Sequence, residues 1–85
     1  MSYYEYILTA NLTPEFEDKS KLLIEEINKF YVPYHIHKFV DEEIGEDKKQ
    51  RTIIINSHTN IKDFLFSKFS NCVFEMRVYF KQQII

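Results

Sequence analysis

The sequence contains few of the residues that mark specialised sites. Its 85 residues include one glycine, two prolines, one cysteine and no tryptophan. A single glycine, Gly45, excludes a glycine-rich phosphate-binding loop, which needs several positions of free backbone rotation. Cys72 alone cannot form an internal disulfide, and no apolar run is long enough to cross a bilayer. With no recognisable signal peptide, these absences predict a cytoplasmic protein.

The charge balance argues against generic binding to nucleic acid. Eleven basic and thirteen acidic side chains give a formal net charge of −2, whereas affinity for nucleic acid comes largely from the neutralisation of phosphates. Hydrophobic residues make up 45% of the chain and aromatic residues 16%, which is ample for a packed interior. The length predicts a single domain over residues 1–85.

The first part of the chain has the pattern of a strand followed by a helix. Residues 3–10 are β-branched and aromatic types with a rough period of two, which predicts a strand. Thr13 can cap a helix whose first position suits Pro14, and Glu15 favours its positive end. The helix should end before Pro33. Its buried side is predicted at helical spacing: Phe16, Ser20, Leu23, Ile27 and Phe30.

The remaining sequence predicts three strands and one helix. Residues 34–41 and 50–57 alternate and flank a turn that contains Gly45, which indicates a hairpin. Asn60 or Thr59 can cap a second helix with its apolar side at Ile61, Phe64, Leu65 and Phe69. Residues 72–81 form the last strand. The order βαββαβ predicts an α+β ferredoxin-like split βαβ sandwich, with a four-stranded antiparallel sheet and two helices on one face.

Residues 7–12 resemble the first conserved segment of the RNA-recognition motif, which shares this topology. The alignment rests on Asn11 and Leu12 and puts Leu8 where that family has an aromatic residue. The third strand of the family carries glycine and aromatic rings, but residues 51–56 here contain neither. Stacking of bases on such rings supplies about 1–3 kcal/mol per base, so a strand without them lacks most of the affinity of that family. A single-stranded RNA- or DNA-binding module that uses Tyr79 and its cationic neighbours therefore remains only the alternative interpretation.

Three histidines provide a second hypothesis, which concerns metal binding. His35 and His37 are two residues apart in a predicted strand and therefore project from one face, and His58 could approach them across the hairpin. Three imidazoles can hold zinc or copper. No acidic or thiol ligand has an obvious place beside them, and exposed histidines that form hydrogen bonds explain the pattern as well. We predict no metal and no cofactor, and leave open whether His35 and His37 bind one.

The predicted hairpin turn carries a cluster of acidic residues. Its members are Asp41, Glu42, Glu43, Glu46 and Asp47. Folding of the hairpin would place acids of one arm near bases of the other, and such surface pairs usually contribute under about 1 kcal/mol. The cluster could also dock on a basic partner. No nucleophile has a histidine and an orienting acid predictably near it, so we predict that the chain is not an enzyme.

One face of the predicted sheet is left without helices. If Tyr6, Leu8 and Phe74 face the helices, then Ile7 and Ile54 lie at the centre of the open face. An apolar centre with a polar rim is typical of association surfaces. Phe66 lies off the apolar side of the second helix and could anchor a partner. The predicted protein interface is Ile7, Ile54, Glu5, Arg77, Tyr79, Phe39 and Phe66.

These observations predict a small non-enzymatic protein-binding module that forms a homodimer. A twofold pair is the simplest assembly for one self-complementary patch. Its size and acidity would suit an inhibitor or adaptor, for example one that a mobile element encodes against a host nuclease or defence complex. The partner, the biological process, and whether the open face dimerises or binds another protein stay open.

Overall fold

The computed structural model describes residues 2–29, 36–47 and 49–82. These residues form four strands and two helices in the predicted order. All neighbouring strands are antiparallel, and their order across the sheet is β2-β3-β1-β4. The fold is therefore the predicted α+β ferredoxin-like one. The elements are β1 (Ser2–Asn11), α1 (Pro14–Lys29), β2 (Ile36–Ile44), β3 (Gln50–Ser57), α2 (Lys62–Lys68) and β4 (Glu75–Gln82).

The core lies between the helices and one face of the sheet. Alternate residues of β1 and β3 are buried, as a period of two requires when helices cover one side of a sheet. The rings of Phe16 on α1 and Phe69, next to α2, stack with centroids 4.9 Å apart. Both helices therefore pack on the same face. The buried hydrophobic residues are Tyr6, Leu8, Ala10, Phe16, Leu23, Ile36, Ile53, Ile55, Ile61, Leu65 and Phe69.

Short polar contacts fix the start of each helix. The hydroxyl oxygen of Thr13 accepts a hydrogen bond of 3.2 Å from the Phe16 amide, as its capping role predicts. At α2, the hydroxyl of Tyr6 accepts a bond of 2.9 Å from the Ile61 amide. The same hydroxyl donates to Oδ1 of Asn60, 3.2 Å away. Tyr6 therefore ties the central strand to the first turn of α2.

Strand β2 is longer than the sequence predicted. It continues to Ile44, so Asp41, Glu42 and Glu43 belong to the strand and not to the turn. The acidic side chains are tolerated because Arg51 lies opposite on β3 and contacts two of them. Its Nε is 3.2 Å from Oδ1 of Asp41, and its Nη2 is 3.6 Å from Oε1 of Glu43. Gly45, with φ of 95°, then begins the turn in a conformation that suits glycine.

Strand β4 begins later than predicted. Asn71 adopts a left-handed conformation with φ of 72°, and the Cys72 amide bonds back to the Phe69 carbonyl at 3.0 Å. This turn keeps residues 72–74 out of the strand. Cys72 is partly buried against the core.

Several predicted features lie outside the described residues. They are the side chain of Ile27, Phe30 and Pro33 of the first helix region, His35, and the side chain of His37. His58 is described, and its Nδ1 lies 3.0 Å from the Ser2 carbonyl oxygen. Within the described ranges, no group of three His, Cys, Asp or Glu side chains could hold a metal. The described helices include none with the length and apolar character that a membrane crossing requires.

Candidate protein-binding surface on the open face of the sheet

The face of the sheet opposite the helices has an apolar row across its middle. Strand register places Val40, Ile54, Ile7 and Arg77 side by side on β2, β3, β1 and β4. Directly opposite residues of antiparallel strands point to the same face, so the three aliphatic side chains are neighbours. All three are partly exposed. Ile7 and Ile54 therefore lie where the sequence predicted, and their role as an interface stays a prediction.

Phe39 does not belong to this open face, and the prediction that put it there is wrong. It lies opposite Ile55, which is fully buried, and packs against the core. A register shift between Ile36 and Lys38 adds a residue to β2. A bulge of this kind changes which side chains face the core. Val40 therefore takes the position that the sequence assigned to Phe39.

The cations at the rim of the open face lie beside carboxylates. Nζ of Lys81 is 2.9 Å from Oε1 of Glu5, and this hydrogen bond raises the pKa of Lys81 above its ordinary value. Nε of Arg77 is 3.2 Å from Oε1 of Glu75. Hydrogen bonds to Glu75 and Tyr79 raise the pKa of Arg77. These cations therefore present a partly neutralised rim and not a free positive patch.

The charges that face this side of the sheet balance one another. Among the described residues, register places Lys38, Arg77 and Lys81 on this face as basic residues and Glu5, Glu42 and Glu75 as acidic ones. A face with no net charge has no strong preference for a polyanion such as nucleic acid. It is compatible with a partner that carries both signs.

Asn56 is a buried polar residue on the same face. It lies between Lys38 and Glu5 in the register and is 6% exposed. Its Oδ1 has no hydrogen-bond donor among the described residues. A buried acceptor without a donor destabilises a fold. The buried side chain of this asparagine gives no obvious benefit to the isolated sheet. The residue types of its own strand did not indicate that it would be buried.

Phe66 lies on α2, away from the open face. It is 45% exposed, which agrees with its predicted position off the apolar side of the helix. Its ring lies 5.7 Å from that of Phe74 and 5.9 Å from Nζ of Lys62. Phe66 and the pair Ile7 and Ile54 therefore belong to two separate surfaces and not to one interface.

The acidic residues of the hairpin also separate into distinct groups. Asp41 and Glu43 flank Arg51 on the side of β2 that faces the helices, whereas Glu42 points to the open face. Burial raises the pKa of Asp41 and outweighs the opposite effect of Arg51. Of these five acidic residues, only Glu46 and Asp47 lie in the turn. The predicted single acidic loop is therefore wrong as a structural unit.

These features define a ferredoxin-like α+β protein with an open, mixed apolar and polar sheet face. A scan of family models and a search of curated proteins both find no match. Among solved structures, a candidate antibiotic biosynthesis monooxygenase from Bordetella bronchiseptica is similar with a TM-score of 0.55 at 14% identity, over all of both chains. A dimeric ferredoxin-like protein from an uncultured marine organism has a TM-score of 0.42 at 8% identity, over 100% of this chain and 99% of the other.

The first likeness corrects the prediction that the chain is not an enzyme. That prediction rested on a small fold without a recognisable catalytic motif. The same fold covers the whole of a chain described as a candidate monooxygenase, so the absence of a familiar motif from this fold does not exclude catalysis. At 14% identity the likeness extends to the fold alone and transfers no substrate or residue.

Proposed function

We propose that the chain is a protein-binding module that assembles through the open face of its sheet and forms a homodimer there. The observation that carries the proposal is the row of Val40, Ile54 and Ile7 across the middle of a face that no described helix covers. Polar and charged residues surround this row, in the arrangement that is common in association surfaces.

The area of the face is sufficient for a specific contact. Strands about 4.8 Å apart, each with about eight residues at a rise of about 3.3 Å, give four strands a face of about 500 Å². Two such faces would bury about 1,000 Å² in total, which is the lower limit for a specific interface. The contact therefore requires most of the face and not only its apolar row.

Charge balance favours a second copy as the partner. A twofold axis brings the same surface onto itself, so a face of one sign would repel its copy. Here Lys38, Arg77 and Lys81 are balanced by Glu5, Glu42 and Glu75 on the same face. A twofold arrangement can therefore place cations of one copy against carboxylates of the other. An inhibitor or adaptor role would use surfaces that remain exposed in the dimer, such as the one around Phe66.

Sedimentation velocity tests the proposal with one matched pair of variants. The chain has a mass of 10.4 kDa, and we expect the wild-type protein to sediment as a species of twice that mass. Ile54→Asp places a charge in the apolar row and should yield monomers. Leu22→Asp makes the same kind of change on α1, where Leu22 is 60% exposed, and should remain dimeric.

A milder variant separates loss of assembly from loss of folding. Ile54→Thr keeps a β-branched residue in the strand and should weaken the dimer while its circular dichroism stays that of the wild type. A wild-type protein that is monomeric at all concentrations would contradict the proposal. Folded Ile54→Asp and Ile54→Thr proteins that have the same mass as the wild type at every concentration would contradict it equally.

A further inference from the structure

Strand β4 is one of the two outer strands of the described sheet and has exposed apolar side chains. It pairs with β1 along one side, and no described strand pairs with its other side. Val78 is 41% exposed and Phe80 63% exposed, although both lie on the face that carries the core. An exposed, regular edge with apolar side chains is a template for a further strand.

The sequence of β4 is complementary to itself when it runs antiparallel about Val78. In that register Glu75 of one copy lies opposite Lys81 of the other, and the exchange occurs twice because of the twofold symmetry. Arg77 lies opposite Tyr79, an arrangement that permits a cation–π contact. The remaining pairs are apolar: Met76 with Phe80, and Val78 with its own copy. Each position from residue 75 to residue 81 therefore has a compatible partner.

The neighbouring registers are disfavoured by the same charges. An antiparallel pairing about Arg77 would place two arginines directly opposite each other. A pairing about Tyr79 would place Arg77 opposite Lys81. Like charges directly opposite are destabilising in sheets. The charges that usually protect an edge strand from pairing therefore select one register here.

We propose that β4 pairs with β4 of a second copy about Val78, so that the two sheets join into one of eight strands. The contact lies at the edge of the sheet, although Glu75 and Lys81 also lie on the open face. Its twofold axis is perpendicular to the sheet, so both layers of helices lie on one side. Both open faces then lie on the other side, and the two contacts can coexist in one tetramer.

A charge exchange between two variants tests the register directly. Glu75→Lys places cations opposite each other in a pair of identical chains, and Lys81→Glu places carboxylates opposite each other. Each variant alone should show edge association weakened by at least about fivefold. An equimolar mixture should recover it, since each chain then faces opposite charge at both positions. Sedimentation equilibrium over a range of concentrations measures all three samples, each in the Ile54→Asp background, where the open-face contact is disrupted.

The control variants keep this test separate from folding and from the open-face contact. Val78→Lys changes an exposed residue and places like charges at the twofold axis of a pair of identical chains, so it should abolish their edge association. Edge pairing through one strand covers less area than the open-face contact, so it should occur at higher protein concentrations. There it should convert monomers to dimers in the Ile54→Asp background and dimers to tetramers in the wild type. Urea unfolding of each variant shows whether the chain is folded.

The outcomes for the two contacts are distinguishable. Recovery in the mixture, together with loss of association in Val78→Lys, supports the edge contact even if Ile54→Asp does not change the mass of the assembly. A mixture that associates no better than its separate folded components would overturn the edge contact. A Val78→Lys protein that still assembles like the wild type would also overturn it, whatever the result for Ile54.

Discussion

Ile7 and Ile54 lie directly opposite each other on the two central strands, on the face of the sheet that points away from the core. Their neighbours in sequence, Tyr6 and Ile55, are fully buried under the helices. Adjacent residues of a strand point to opposite faces. One side chain of each pair therefore stabilises the fold, and its neighbour is available to a partner. The proposed dimer contact depends on this separation.

Tyr6 should be more important for stability than its burial alone indicates. Its hydroxyl accepts the Ile61 amide at 2.9 Å, and Tyr6→Phe would leave that buried amide without a partner. We expect a loss of about 1–3 kcal/mol in the free energy of unfolding. Urea denaturation measures the loss, with Tyr79→Phe as a control at a 43% exposed position. Equal effects of the two substitutions would show that the contact contributes nothing.

Phe69 and Phe66 should differ strongly although they lie three residues apart. Phe69 is fully buried and stacks on Phe16, whereas Phe66 is 45% exposed. Phe69→Ala creates a cavity and should cost about 3–5 kcal/mol. Phe66→Ala removes a ring that is largely in solvent and should cost under about 1 kcal/mol. Thermal or urea unfolding measures both losses of stability. A larger loss for Phe66→Ala than for Phe69→Ala would contradict the placement of Phe69 in the core.

Asp41 should make stability depend on pH in the direction opposite to that of a usual ion-paired aspartate. Burial raises its pKa above the ordinary 3.8 despite the nearby Arg51. A raised folded-state pKa means that the contribution of Asp41 to stability is greatest below the ordinary pKa and falls as pH rises through the folded-state value. The free energy of unfolding of the wild type, relative to that of Asp41→Asn, should therefore decrease as pH rises above the ordinary pKa of 3.8.

Urea denaturation at several pH values gives that difference. Glu42→Gln is the matched control, because Glu42 is exposed on the other face of the same strand. A difference that increases with pH would mean that the contact of 3.2 Å with Arg51 outweighs the cost of burial.

The fold could be predicted because its core elements are specified locally. The alternation of β1, the capping of α1 by Thr13 and the aliphatic run of β3 are signals that lie within a few residues of one another. Their order then leaves few topologies. The placement of Ile7 and Ile54 on one face followed from the same alternation.

The errors arose where a distant residue or a bulge decides the structure. The residue types of Asp41 and Glu43 are typical of a turn. Their place in a strand depends on contacts with Arg51, which exist only once β2 and β3 have paired. Phe39 was assigned to the wrong face because the register shift before Lys38 leaves no trace in the residue types. The burial of Asn56 equally depends on its neighbours across the sheet and not on its own strand.

In the proposed dimer, the middle of the open face becomes covered when the protein assembles. Nuclear magnetic resonance with a soluble paramagnetic probe measures this for each methyl group, because a probe in solvent broadens exposed methyls and spares covered ones. At concentrations where the protein is assembled, we predict that methyls of Ile7, Ile54 and Val40 are protected as well as those of buried Leu23, while those of exposed Leu22 are broadened. Broadening of Ile7 and Ile54 to the same extent as Leu22 would contradict the account.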